Sequence, residues 1–201
     1  MSEPNKKTAA DATSAASAGN IPAVEDKSKS LMQFFKDGLM DMLWAEEAVI
    51  EGLKKMQKAA SNESLVEALE DHEIESRQHI SRLEKIFESL NESPQRKKCA
   101  AMEGILKEAD EMIKATPDRS ATRDVALIIA AQKVEHYEIA SYGGLTAIAH
   151  TLNLTRAADR LQQTLDDEEG MDLYLTEIAE TEINVDAVEE EKSGKAPVNT
   201  T

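Results

Sequence analysis

Residues 132–144 read QKVEHYEIASYGG. The stretch lies inside a long segment of helical periodicity, about 120–150, whose repeating face carries Ile128, Ala131, Glu135, Glu138, Tyr142, Leu145 and Ala149. Two carboxylates therefore occupy positions that a helix normally reserves for its apolar stripe. What those carboxylates meet decides what kind of bundle the chain forms.

Three other long segments show the same interruption. Residues of about 30–59 place Phe35, Leu39, Met42, Glu46, Val49, Leu53 and Met56 on one face, in steps of three and four. Residues of about 63–90 place Leu65, Leu69, His72, Glu75 (or Ser76), His79, Leu83 and Ile86 there. Residues of about 154–182 place Ala158, Leu161, Leu165, Glu168, Asp172, Leu175 and Ala179. A shorter segment, about 95–115, carries Cys99, Met102, Leu106, Met112 and Ile113. SNES (61–64) and TLNLT (151–155) supply tight turns, while NESP (91–94) ends the second segment at its proline. The expected fold is all-α. It is an antiparallel four-helix bundle of two hairpins, with a short extra helix in the crossover between helices 2 and 3. Residues 29–183 form the bundle, with a disordered tail at 1–28 and a flexible tail at 184–201.

The totals fit this reading. Aromatic residues are 3% and charged residues 31% of 201. A formal charge of −16 argues against nucleic acid or an anionic membrane surface as a partner. A single cysteine, Cys99, allows no disulfide within one chain and suits a reducing compartment. No apolar run reaches a transmembrane span, and MSEPNKKTAADATSAASAGN does not read as a secretory signal. The expectation is a cytoplasmic protein.

Register relates the interruptions to one another. Around a first turn near residue 61, Glu46 lies 15 residues before and Glu75 lies 14 after. Around a second turn centred between 151 and 152, Glu135 and Glu168 each lie 16.5 residues away. Antiparallel hairpins bring such positions to nearly one level, at about 1.5 Å of rise per residue. The hairpins thus read as a degenerate internal repeat. Burying four carboxylates together costs several kcal/mol per ion unless something neutralises them. Two divalent cations balance the charge of Glu46, Glu75, Glu135 and Glu168. Mixed carboxylate and imidazole ligation suits iron, manganese or zinc. Glu138 reads either as a ligand or as a solvated flank, and His72, His79 and Asp172 are adjacent alternatives. Trp44, Tyr137 and Tyr142 read as packing or hydrogen-bonding residues.

AEEAVIEGLKKMQKAA, EALEDHEIESRQHISRLEKIF, AAQKVEHYEIASYGGL and QTLDDEEGMDLYL resemble the YciE/YciF ferritin-like proteins, over residues of about 31–182. CAAMEGILKEADEMI in the crossover is also similar to that family. The resemblance implies a di-iron bundle in a bacterial stress-associated protein, often dimeric. It assigns Glu46, Glu75, Glu135 and Glu168 to the glutamate positions of the four helices. Glu138 resembles the extra glutamate of rubrerythrin-type sites. One departure stands out: the Glu-x-x-His pattern of the wider fold has Gln78 after Glu75 and Met171 after Glu168. The nearby alternatives are His72, His79 and Asp172, a set rich in oxygen that leaves manganese as open as iron.

Two functions fit. The first is a di-metal redox protein that reacts with peroxide or dioxygen, with ferroxidase, peroxidase or catalase-like chemistry. The second is a non-enzymatic bundle acting in oligomerisation, protection or metal storage.

Overall fold

The computed structural model describes residues 29–194, and the expected tail at 1–28 lies outside the described residues. Helices run Leu31–Ala59 (α1), Glu63–Ser89 (α2), Ala100–Ala115 (α3), Ala121–Thr151 (α4) and Thr155–Ile178 (α5). A π-helical turn, Ala179–Ile183, leads from α5 into Asn184–Ser193 (α6). No strand occurs among the described residues, and none of their helices is long and apolar enough to cross a membrane.

Local chemistry sets the helix ends. Ser30, Asn62 and Ser120 each accept a hydrogen bond from the backbone N–H three residues on, satisfying an otherwise orphaned donor. Cys99 does the same for α3 through its sulfur, 3.4 Å from Met102 N. Asn91 and Asn153 follow the ends of α2 and α4 at positive φ, a conformation asparagine tolerates. Asp124 ties the α1–α2 turn to α4, accepting from Ser61 N (2.8 Å), Ser61 Oγ (2.6 Å) and Asn62 N (3.1 Å).

α1 packs on α2 and α4 on α5, the two hairpins of the sequence reading, while α2–α5 and α1–α4 contacts close the ring. α3 lies across α1 and α4. Its Leu106 sits directly over Gly52, where a Cβ would stand 2.6 Å from Leu106 Cδ2 and push that side-chain tip aside.

The C-terminal expectation is corrected in part. Asn184–Ser193, assigned to a tail, continue as helix because Ile183 is buried and α6 packs on α4. Glu190 also accepts from Ala121 N at 2.7 Å, placing a carboxylate at the start of α4.

The core has two apolar parts. One gathers Val49, Leu53, Leu65, Leu127 and Leu175, and the other Phe35, Leu39, Leu83, Ile86 and Leu161. A polar layer lies between them.

Candidate metal centre

Six side chains make that layer: Glu46 from α1, His72 and His79 from α2, Glu135 and Glu138 from α4, and Glu168 from α5. All are 0–1% exposed. His72 and His79 are seven residues apart, two turns along one face, and Glu135 and Glu138 stand one turn apart. The six form two groups that share Glu168. One is His72, Glu135, Glu138 and Glu168; the other is Glu46, His79 and Glu168. Within each group one ligand atom per residue lies within 4.8 Å of every other.

The contacts are close. His72 Nδ1 is 3.0 Å from Glu135 Oε1, and its Nε2 is 3.6 Å from Glu168 Oε2 and 4.0 Å from Glu138 Oε2. His79 Nδ1 is 3.0 Å from Glu168 Oε1 and 3.3 Å from Glu46 Oε1. Ligands about 2.1 Å from a metal stand roughly 3–4 Å apart, so the spacing fits a cation at the centre of each group.

The hydrogen-bond inventory points the same way. Both carboxylate oxygens of Glu135, Glu138 and Glu168, both ring nitrogens of His72, His79 Nδ1 and Glu46 Oε2 are buried without an aligned partner. Buried polar groups are nearly always satisfied, so such a concentration suits residues that could hold a metal ion. Ion pairs to the four glutamates come from His72 and His79 alone, among the described residues. Four carboxylates are matched by two divalent charges.

Without a cation the layer is electrostatically strained. Burial pushes the Glu135 carboxyl up to about 8 and Glu168 to about 7. Glu138 rises well above the usual carboxylate range, through burial and the charges of Glu46, Glu168 and Glu135. Burial lowers His72. For His79 burial works against the proton, but Glu46 and Glu168 outweigh it and raise the ring to about 11.

Supporting residues orient the ligands. Tyr142 is fully buried and its hydroxyl donates to Glu46 Oε1, leaving Oε2 free for a metal. Asp167 Oδ2 lies 3.3 Å from His79 Nε2 and accepts from Arg82 at 2.5 Å. This carboxylate–imidazole contact turns Nδ1 toward Glu46 and Glu168. Tyr137 Oη pairs with Cys99 Sγ at 2.9 Å, tying α4 to α3 behind the glutamates.

Two expected ligands stand elsewhere. Glu75 is half-buried and outside both groups, and Ser76 takes the inward position. The inward path along α2 runs 72, 76, 79, a step of four and then three. Asp172 is also partly exposed, within 3.2 Å of His136 Nε2 and 3.3 Å of Gln132 Nε2. Met171 replaces it on the inner face, so α5 steps 168, 171, 175. Asp167 and Arg82 were missed because both look like ordinary surface charges. The spacing of Arg82 three residues after His79 was the available clue.

Four long helices, a crossover helix and a mid-bundle layer of glutamate and histidine define a ferritin-like carboxylate bundle. A two-domain protein from Anabaena variabilis with DJ-1/ThiJ/PfpI-like and ferritin-like domains shares the fold (TM-score 0.52, 14% identity, 87% of this chain, 41% of that one). The chain belongs to the family described as a domain of unknown function, DUF892, which residues 30–188 match. It is 42% identical over 157 residues to protein YciF of Escherichia coli K12, spanning 78% of this chain and 94% of YciF. The crystal structure of YciF, called a stress protein, aligns with a TM-score of 0.74, covering 78% of this chain and 99% of that one. YcfI from Rhodopseudomonas palustris aligns with a TM-score of 0.73 at 33% identity, over 76% and 96% of the two chains. The YciE/YciF resemblance of the sequence motifs therefore holds.

Proposed function

We propose that the chain is a di-metal carboxylate protein, with iron as the favoured metal and manganese as the alternative, that reacts with peroxide or dioxygen in the cytoplasm under stress. The observation that carries this reading is the pair of buried ligand groups joined at Glu168. The relationship to YciF, a stress protein, supports the setting.

Glu168 would help to hold both cations, since it alone belongs to both groups. Glu46 and His79 would hold one, and His72, Glu135 and Glu138 the other. Two ferrous ions would supply the two electrons that, with two protons, convert one hydrogen peroxide to two waters. Glu135 and Glu138, raised by burial, hold protons when no cation is bound and release them on loading. Tyr142 keeps Glu46 oriented. The apolar clusters on either side exclude bulk water from the layer.

The test is anaerobic titration with ferrous iron followed by peroxide. Two ions per chain, lost in Glu168→Ala and oxidised on peroxide addition, are expected. Binding that survives Glu168→Ala would sink the assignment. Metal bound in that way but never oxidised would leave a storage or protective bundle as the better reading. The family resemblance also implies a homodimer, which we propose and which light scattering on the same samples checks.

A further inference from the structure

The ligands of the centre are 0–1% exposed, so a cation needs a way to reach them. On the α2–α5 face a cleft of about 480 Å³ opens to solvent. Four of its nine lining residues are carboxylates, Asp71, Glu75, Asp166 and Asp167, set beside the apolar Ile74 and the ring of Tyr174. On the same two helices, next in sequence to the lining residues Asp71 and Asp167, are His72 and Glu168. Both are 1% exposed, with every ring nitrogen and carboxylate oxygen unpartnered. Glu75 stands between the two environments. It lines the cleft, it is half-buried, and the charged groups around it are His72, Asp167, His79 and Glu168. Met171 lines the cleft and also packs in the apolar core.

We propose that this cleft is the route by which hydrated divalent cations reach the buried centre, and that Glu75 is the relay carboxylate at its inner end rather than a resident ligand. The inference rests on the metal reading above. Physical requirements match the features one by one. A hydrated divalent ion with six waters needs roughly 30 Å³ per water, which the cleft exceeds. An acidic concavity with low-dielectric walls concentrates cations and speeds their association. Shedding water requires replacement oxygen ligands before the buried set is reached, and Glu75 offers a carboxylate at that point. A Cβ built at Gly170 meets nothing within 4 Å, so a large side chain at this lining position has open space to occupy. Arg82 neutralises Asp167 and holds it on His79, so Asp71, Glu75 and Asp166 supply most of the attraction.

Cobalt(II) is a suitable probe, because its visible absorption reports coordination without oxidation. Stopped-flow association and chelator-driven dissociation are measured on the full chain, in wild type, Gly170→Leu, Glu75→Gln and the double variant Asp71→Asn, Asp166→Asn. Gly170→Leu and Glu75→Gln are expected to slow association and dissociation by similar factors, roughly tenfold. Stoichiometry and Kd stay at wild-type values. The double variant is expected to flatten the salt dependence of association. Wild-type rates in both Gly170→Leu and Glu75→Gln would overturn the route. Loss of one cobalt per chain in Glu75→Gln would overturn the relay role and make Glu75 a resident ligand. Failure of wild type to bind cobalt, or binding that survives Glu168→Ala, would overturn the centre itself and the route with it. Circular dichroism on each variant shows that a changed rate belongs to a folded chain.

Discussion

His79 Nε2 lies 3.3 Å from Asp167 Oδ2, and Arg82 Nη1 donates to the same oxygen at 2.5 Å. The contact selects which ring nitrogen faces the buried glutamates. Removing such a partner typically weakens metal binding about 10–100-fold without unfolding the protein. Asp167→Asn is therefore expected to raise the Kd for cobalt or ferrous iron by that factor, measured by equilibrium titration, with the helical circular dichroism spectrum preserved. An unchanged Kd would mean that His79 is positioned by packing alone.

Burial, with Glu46, Glu168 and Glu135 beside it, makes the Glu138 carboxyl costly to ionise. Glu138→Gln keeps the shape and removes the cost of protonating that carboxyl when the chain folds. In chelator, its Tm is expected to rise by roughly 2–8 °C, from about 1–2 kcal/mol of relieved cost at about 2–4 °C per kcal/mol. With saturating cation the order reverses, because a ligand has been lost. Differential scanning calorimetry under both conditions reads the crossing.

The metal-free protein should lose stability as pH rises from 6.5 to 8. Glu135, raised from 4.5 to about 8, keeps its proton in the folded chain after the unfolded chain has released it. Its effect is thus a loss of stability with rising pH across that interval. His79, raised from 6.5 to about 11, contributes stability that is fully present below 6.5 and is lost as pH climbs toward 11. His72, lowered from 6.5, acts in the opposite sense, but only below 6.5. Urea midpoints at pH 6.5 and 8 in chelator are expected to fall. Saturating cation should flatten or invert the trend, since loading displaces the same protons.

Asp124 accepts three hydrogen bonds from the α1–α2 turn and is 3% exposed. Asp124→Ala leaves those donors without their acceptor and is expected to cost about 2–3 kcal/mol in urea denaturation. The proposed loading of two cations should be unchanged, because Asp124 bonds the α1–α2 turn and belongs to neither candidate ligand group. A stability change below about 0.5 kcal/mol would show that water replaces the carboxylate.

Periodicity made the bundle readable because large apolar residues repeat at one spacing. Every seam position named for α1, from Phe35 to Met56, is buried. The same holds for α4 from Ile128 to Ala149. Errors arose where the seam turned polar. At Glu75 or Ser76, and at Met171 or Asp172, steps of three and four both satisfy the pattern, and hydropathy does not choose between them. The helix chose by volume and charge: Ser76 is small enough to sit inside, and Met171 needs no partner there. Asp167 was illegible for another reason. Its role depends on a ring from a different helix, 88 residues away. The extension through α6 was hidden because half of its sequence, NVDAVEEEKS, is charged and none of its residues is buried.

The polar layer that splits the apolar core has a mechanical side. All four long helices send a side chain into the waist between the two greasy halves. Each half can hold itself together by packing, whereas the waist, when empty of counter-charge, pushes its walls apart. The cation pair proposed above would act there as a cinch at mid-span and turn two stacked plugs into one beam. Breathing motions should concentrate at the waist in the stripped protein and vanish on loading, so that the backbone amides around Glu46, Ser76, Glu135 and Glu168 become the slowest to exchange rather than the most exposed to opening.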